Sequence, residues 1–137
     1  MLLTLNDFEH AARRHLPRPL FGYIAGAAET GAAEADNRAA LDAYRLVPSV
    51  LRGVQGRTTT CDLLAETWSA PFGIAPMGIA ALMARDGDMT MAQAASRAGI
   101  PYVLSGSSLT PMERVIKSNP RPGSKPIYRA RLTVSRH

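Results

Sequence analysis

The sequence predicts an α/β fold built on a parallel sheet, and three observations carry that expectation. Two short apolar runs, 72–75 and 102–104, stop abruptly in turn-forming residues: Pro76-Met77-Gly78 after the first, Ser105-Gly106-Ser107-Ser108 after the second. Between them, residues 86–98 have helical character and close at Gly99. Strand, helix of about three turns and strand make one βαβ unit, whose strands must run parallel. In parallel α/β folds ligands bind just past the carboxyl ends of the strands. Residues 76–78 and 105–108 are therefore the first candidates for function.

The remaining elements follow in chain order. Thr4 or Asn6 can cap a first helix over about 7–15, with Phe8, Ala11, Ala12 and Leu16 as its apolar face. Leu16-Pro17-Arg18-Pro19 breaks it. A second helix starts near Pro19, which suits a first turn, carries Leu20, Tyr23 and Ile24, and ends at Gly26. A third covers about 32–44, with Ala35, Ala39 and Ala43 along one side, and Pro48 prevents any continuation. The β-branched residues of 58–63 suggest a strand. After the βαβ unit, Thr110-Pro111-Met112-Glu113 reads as a helix start, with Thr as cap and Pro at the first helical position, running to about Lys117. Residues 119–123 form a turn-rich break, and the last fourteen residues show no convincing period.

Bulk properties narrow the class. The 137 residues are enough for one ordinary core, and 46% hydrophobic with 20% charged residues is a globular composition. No apolar run approaches the roughly 20 residues that span a bilayer. The amino-terminal stretch lacks a basic region followed by an apolar block, so no signal peptide is predicted. A single cysteine, Cys61, excludes an internal disulfide and fits a reducing cytoplasm; among three threonines and Asp62 it reads as a small buried residue rather than a nucleophile. The net charge of +5 is local. From Arg114 onward there are seven basic residues and no acidic one, leaving nine basic against eleven acidic before it. That tail has no repeat, no aromatic interleaving beyond Tyr128 and no recognisable module, so nucleic acid is not an expected partner.

Much familiar chemistry is missing. His10, His15, His137 and Cys61 are not spaced as metal ligands, and no nucleophile elbow, phosphate loop or dinucleotide fingerprint occurs. Asp86-Gly87-Asp88 lacks a calcium loop and reads as an acidic first turn complementing a helix dipole. Tyr23 reads either as a core residue with its hydroxyl at the rim or as a ligand for substrate. Pro76-Met77-Gly78 is a stronger signal: glycine after a buried strand lets backbone approach a flat ligand, and proline stiffens the turn. Ser105 offers a hydroxyl at the end of the neighbouring strand. Ordinary loop chemistry is the competing reading for both.

The ordered set of residues is more specific than any piece. Leu16-Pro17, Tyr23-x-x-Gly26-x-x-Glu29, Asn37-Arg38-x-Ala40 and Pro48-x-x-Leu51 come first. They are followed by Pro71-x-x-Ile74-Ala75-Pro76-Met77-Gly78, Gly87-Asp88, Ala94-Ala95-x-x-Ala98-Gly99 and Leu104-Ser105. From about residue 5 to 120 the chain resembles the amino-terminal part of the FMN-dependent 2-hydroxy-acid oxidases and dehydrogenases, the family of glycolate oxidase, lactate dehydrogenase and mandelate dehydrogenase. Residues 86–105 lean towards the mandelate and lactate dehydrogenases. Ser49 departs from the arginine usual after that proline, which bears on a local ion pair and not on the assignment.

The resemblance implies a (β/α)8 barrel preceded by a helical segment, with 72–75 and 102–104 as its first two strands and the barrel incomplete in this chain. It implies FMN as cofactor, the backbone of Pro76, Met77 and Gly78 against the flavin ring, Ser105 on its pyrimidine side and Tyr23 on the substrate carboxylate. The reaction implied is oxidation of an (S)-2-hydroxy acid to the 2-oxo acid. The family's histidine base, lysine, carboxylate-binding arginine and phosphate site belong to later strands and loops, so no catalytic residue is expected in this chain. No metal is expected. Full-length members are expected to be homo-oligomeric and cytoplasmic, with peripheral membrane association in some. The expected organisation is a helical segment with a lead-in strand over 1–70, two βα units over 71–122, and a non-family tail over 123–137.

That tail suggests a reading in another frame. The family's third strand commonly reads W-F-Q-x-Y, whereas this chain has Gly123-Ser124-Lys125-Pro126-Ile127-Tyr128-Arg129-Ala130. Back-translated with one T taken from the Pro122 codon, the regrouped triplets TGG, NTC, NAA, RCC, NAT, HTA, YCG and NGC can encode W-F-Q-A-Y-L-P-G. Residues from about 123 are thus expected to be an out-of-frame translation, which the nucleotide sequence decides.

Overall fold

A computed structural model gives the fold and describes residues 3–63, 65–118 and the backbone of 127–130. The chain divides into two compact units, residues 1–55 and 56–137.

The first unit holds three helices, α1 (Leu5–His15), α2 (Arg18–Ala25) and α3 (Ala32–Asp42). Of the two expected caps, Thr4 is the one at the start of α1. Asp7 closes that turn: its Oδ2 accepts the Leu3 and Thr4 backbone N–H groups at 2.8 Å each, which holds its carboxyl below the ordinary range. Pro19 lies within the first turn of α2, where its missing N–H costs nothing, and Gly26 ends the helix as expected. Helix α3 begins after Gly31, whose φ of 73° is a left-handed conformation open to glycine, and stops at Asp42, two residues short of the expected Tyr44.

The expected apolar faces of these helices are not core. No residue of α1, α2 or α3 is buried; Ala12, Leu16, Leu20 and Phe21 are half-buried, with the Arg13 guanidinium over the Phe21 ring. Phe8, Tyr23 and Ile24 are 57%, 70% and 53% exposed. A unit this small has too little interior to enclose them. The reading of Tyr23 as a core residue is therefore corrected.

The second unit opens with a hairpin of β1 (Cys61–Leu63) and β2 (Glu66–Trp68), antiparallel with Cys61 opposite Trp68. The strand expected over 58–63 shortens to its last three residues, and β2 was not expected, because three residues of Glu-Thr-Trp carry no period. Pairing supplies what propensity does not: Thr67 Oγ1 donates to Asp62 Oδ1 at 2.6 Å, and the buried Trp68 donates its indole N–H to Leu63 O. Cys61 is half-buried.

The βαβ unit is present in reduced form. The expected strand 72–75 narrows to one parallel bridge, Ile74 with Tyr102, closed by Ile74 N–H to Pro101 O at 2.9 Å and Val103 N–H to Ile74 O at 3.0 Å. Pro71 and Pro76 lack N–H donors on either side, so the ladder does not extend. A short helix, α4 (Ala80–Met83), follows; it was not expected. Helix α5 (Gly87–Ala98) ends at Gly99 with φ 67°, as expected, while Asp86 caps it rather than opening it. Gly87 is required by contact: a Cβ there would lie 2.8 Å from Ala80 O.

Strand β3 (Tyr102–Ser105) leads to α6 (Met112–Lys117). Pro111 occupies the cap position, not the first helical one, so Thr110 does not cap; its N–H bonds to Ser108 Oγ at 3.0 Å instead. Strand β4 (Ile127–Ala130) pairs parallel with β3, Tyr102 with Ile127 through Ser105 with Ala130. No strand was expected in this tail; Ile and Tyr are good strand formers once a template edge is offered. The expected turn at 119–123 and everything beyond Ala130 lie outside the described residues.

The period of two in β3 sorts its side chains. Tyr102 and Leu104 are buried against Ala92, Ala95 and Val115 of α5 and α6, whereas Val103 and Ser105 are half-buried on the opposite face. An apolar cleft of about 230 Å³, lined by Leu63, Trp68, Ile74, Ala75, Pro101 and Val103 among others, lies on that side. Among the described residues the parallel ladder runs from Ile74 through β3 to β4, and it is not a closed barrel.

Candidate functional site

The two candidate loops meet. Ile79 N–H donates to Ser107 O at 3.2 Å, which ties the segment after Ile74 to the segment after β3. A Cβ on Gly78 would stand 3.4 Å from the Ser107 Cβ and 3.9 Å from Ser105 Oγ, so the glycine lies directly beside the serine loop. Pro76, Met77 and Gly78 are exposed and Ser105 is half-buried, its Oγ accepting the Ser107 N–H at 3.1 Å. The adjoining Ile79 has φ 48°, an uncommon conformation for a β-branched residue, held by this loop contact. An open cleft of about 320 Å³, lined by Ser105, Gly106, Ser108, Leu109 and Thr110 among others, continues the surface. Tyr23 lies in the first unit, on α2, with its ring largely exposed.

Beneath the serine loop lies Asp88, whose sequence context predicts only a first-turn acid of α5; it is wholly buried, with 0% exposure. Its Oδ1 accepts the Tyr102 hydroxyl at 2.9 Å and its Oδ2 accepts the Ser108 hydroxyl at 2.8 Å. The signal in the sequence was weak: only the fold brings a helix start within reach of residues 14 and 20 positions further on. Burial, then the hydrogen bond to Asp88 and its charge, push the Tyr102 phenol well above its ordinary value of 10.0. The native state therefore keeps this proton where the unfolded chain loses it. The stabilisation is complete below pH 10 and is lost as pH rises towards the native value. Urea unfolding midpoints measured from pH 9 upward should fall above pH 10, and Tyr102→Phe should reduce that slope; an equal slope in both proteins would refute the assignment.

Parallel-bridged strands whose carboxyl-end loops meet place Gly78 and the serine loop where α/β folds, barrels and open sheets alike, bind their ligands. The chain belongs to the FMN-dependent dehydrogenase family, which its residues 12–133 match. It is 32% identical over 120 residues to a 4-hydroxymandelate oxidase of Amycolatopsis orientalis, covering 88% of this chain and 34% of that protein. It is 38% identical over 115 residues to an L-lactate dehydrogenase of Xanthobacter autotrophicus, covering 84% and 30%. Among solved structures it resembles a mandelate oxidase at a TM-score of 0.80 and 32% identity, covering 89% of this chain and 36% of that one. A soluble mutant of the membrane-associated (S)-mandelate dehydrogenase from Pseudomonas putida matches at 0.79 and 30%, covering 87% and 34%. The chain thus spans about a third of the length of these relatives.

FMN is the cofactor of the family, and a mandelate oxidase mutant with an FMN adduct is among the similar structures. The residues present suit one edge of such a ring. Gly78 offers backbone without a side chain, Pro76 a stiff turn without a donor, and Ser105 a hydroxyl that can still donate, since it accepts from Ser107. Among the described residues no three of His, Cys, Asp and Glu group as metal ligands, and no helix is long and apolar enough to cross a membrane.

Proposed function

We propose that this chain supplies one wall of an FMN site that oxidises an (S)-2-hydroxy acid of the lactate, mandelate or glycolate type to its 2-oxo acid. The observation that carries the reading is the meeting of Gly78 with the Ser105–Ser107 loop at the carboxyl ends of parallel-bridged strands. In this reading 72–75 and 102–104 are the first two barrel strands, the backbone of Pro76, Met77 and Gly78 faces the flavin ring, and Ser105 donates to its pyrimidine side. Tyr23 holds the substrate carboxylate through its hydroxyl. FMN, when bound, takes up the two electrons. The base that removes the proton belongs to the remainder of a full-length relative, as does the phosphate site.

The chain alone is therefore expected neither to hold FMN tightly nor to turn over. Joined to the remaining two thirds of the mandelate oxidase it resembles, it should yield a yellow protein bleached by mandelate or lactate without oxygen. A folded, colourless chimera would sink the reading, and a yellow, active preparation of the chain alone would sink the first expectation. A second reading has its own support in the half-exposed face of Ile74 and Val103 and its apolar cleft. It is an interaction module that completes a barrel with another chain, and co-purification of the two separately expressed pieces would favour it.

A further inference from the structure

We propose that Asp88 is the positioning residue of this wall, fixing the serine loop through Ser108 so that Ser105 and Gly78 present one constant edge. The inference rests on the flavin-wall reading above. Asp88 sits in the first turn of α5, is wholly buried, and has both carboxylate oxygens occupied, so it cannot itself touch a ligand. Its two partners point in different directions. Tyr102 opens β3 and belongs to the hydrophobic core, whereas Ser108 closes the loop after β3. Ser108 is a hub: its hydroxyl proton is best given to Asp88 at 2.8 Å rather than Thr110 O at 3.2 Å, and its oxygen accepts the Thr110 N–H. From Ser108 the linkage passes to the wall, by Ser108 N–H to Ser105 O at 3.1 Å, Ser107 N–H to Ser105 Oγ, and Ile79 N–H to Ser107 O.

A buried carboxylate is a costly way to hold two hydroxyls if stability alone is at issue, because well-packed apolar residues serve as well. What a carboxylate that accepts both hydroxyls adds is direction. Both hydroxyls must point their protons at it, which leaves the Ser108 oxygen free to accept from Thr110 and sets the loop in one arrangement. Losing the Tyr102 bond loosens the core side of this network. Losing the Ser108 bond loosens the ligand side.

That asymmetry provides the test. Ser108→Ala and Tyr102→Phe each remove one hydrogen bond to the same carboxylate, and Ser108→Ala, which also takes the acceptor from the Thr110 N–H, should lower the unfolding midpoint somewhat more. Amide exchange in the full chain, without flavin, should quicken at Ser107 and Ile79 by roughly tenfold in Ser108→Ala and stay within about twofold in Tyr102→Phe. Ser108→Thr, which keeps the hydroxyl, should restore protection. Millimolar FMN, followed through the amide resonances of Gly78, Ser105 and Ser107, should bind about tenfold more weakly to Ser108→Ala than to Tyr102→Phe or Ser108→Thr. Equal exchange or equal FMN shifts in Ser108→Ala and Tyr102→Phe would overturn the positioning role while leaving the flavin wall standing. If Ser108→Ala does not fold, failure of Ser108→Thr to match the parent chain in exchange and FMN shifts overturns it instead. No FMN-dependent shift at Gly78, Ser105 or Ser107 in the parent chain would overturn the wall itself, and the role with it.

Discussion

Leu104→Ala is expected to abolish cooperative folding of the second unit, at a cost of about 2–5 kcal/mol. Leu104 is 2% exposed and meets Ala92, Ala95, Tyr102 and Val115 in the core cluster. Two of those neighbours are alanines, which cannot reach into the cavity left by three lost carbons and their hydrogens, so any filling must come from side chains at the cluster's margin such as Met89, Met91 and Met112. The surroundings are also sparse. Among the described residues seven apolar side chains are buried, and only Trp68, Tyr102, Leu104 and Val115 are larger than alanine. Folded domains in general hold a margin of about 5–15 kcal/mol, and small cores sit at the low end of it. Urea denaturation followed by Trp68 fluorescence should show a sharp transition in the parent chain and a shallow, early one in the variant. Val103→Ala supplies the control, since Val103 is half-buried on the other face of the same strand and should shift the midpoint far less. Equal losses at 103 and 104 would mean that the two faces of β3 are not distinguished by packing.

What could be read from the sequence was local, and what could not depended on pairing over distance. Gly99 ends α5 because a left-handed cap needs glycine, a requirement written in one residue. The turns after Ala75 and Leu104 were equally legible, and with them the candidate wall at 76–78 and 105, because proline, glycine and serine punctuate without help from the fold. Strands β2 and β4 were not legible, since three or four residues gain strand structure only when a partner edge is supplied. The same limit explains the run 72–75, whose composition is strand-like but which finds one bridge between two prolines. Asp88 is the instructive case. A first-turn acid is a common helical feature, and nothing within a few residues of it says that it will be buried under a loop twenty positions away. Tyr23 errs in the opposite sense: an aromatic on a short amphipathic helix suggests burial, but among the described residues of its unit none is buried to receive it.

The other large effect is expected from a single methyl group. Gly73→Ala should break the parallel bridge on which the candidate wall depends. A Cβ at residue 73 would stand 2.5 Å from Pro101 O and 2.6 Å from Pro101 Cγ, separations that no real side chain occupies. Pro101 O is the acceptor for Ile74 N–H, so the segment cannot retreat from the clash without stretching that bond and the return bond from Val103 to Ile74 O. The proline ring cannot rotate aside either, since its φ is fixed by covalent closure. Overpacking typically costs about 1–3 kcal/mol, and a clash with backbone and a rigid ring belongs at the upper end. Gly78→Ala makes the comparison sharp, because its Cβ would meet Ser107 at 3.4 Å and require only a slight adjustment of a side chain. Exchange at the Ile74 and Val103 amides should therefore accelerate strongly in Gly73→Ala and little in Gly78→Ala. If both amides stay as protected in Gly73→Ala as in the parent chain, the bridge is not what sets the spacing of the two loops. If they open, the gap between 76–78 and Ser105 widens with them, and the wall is undone from its base without any change to the residues that line it.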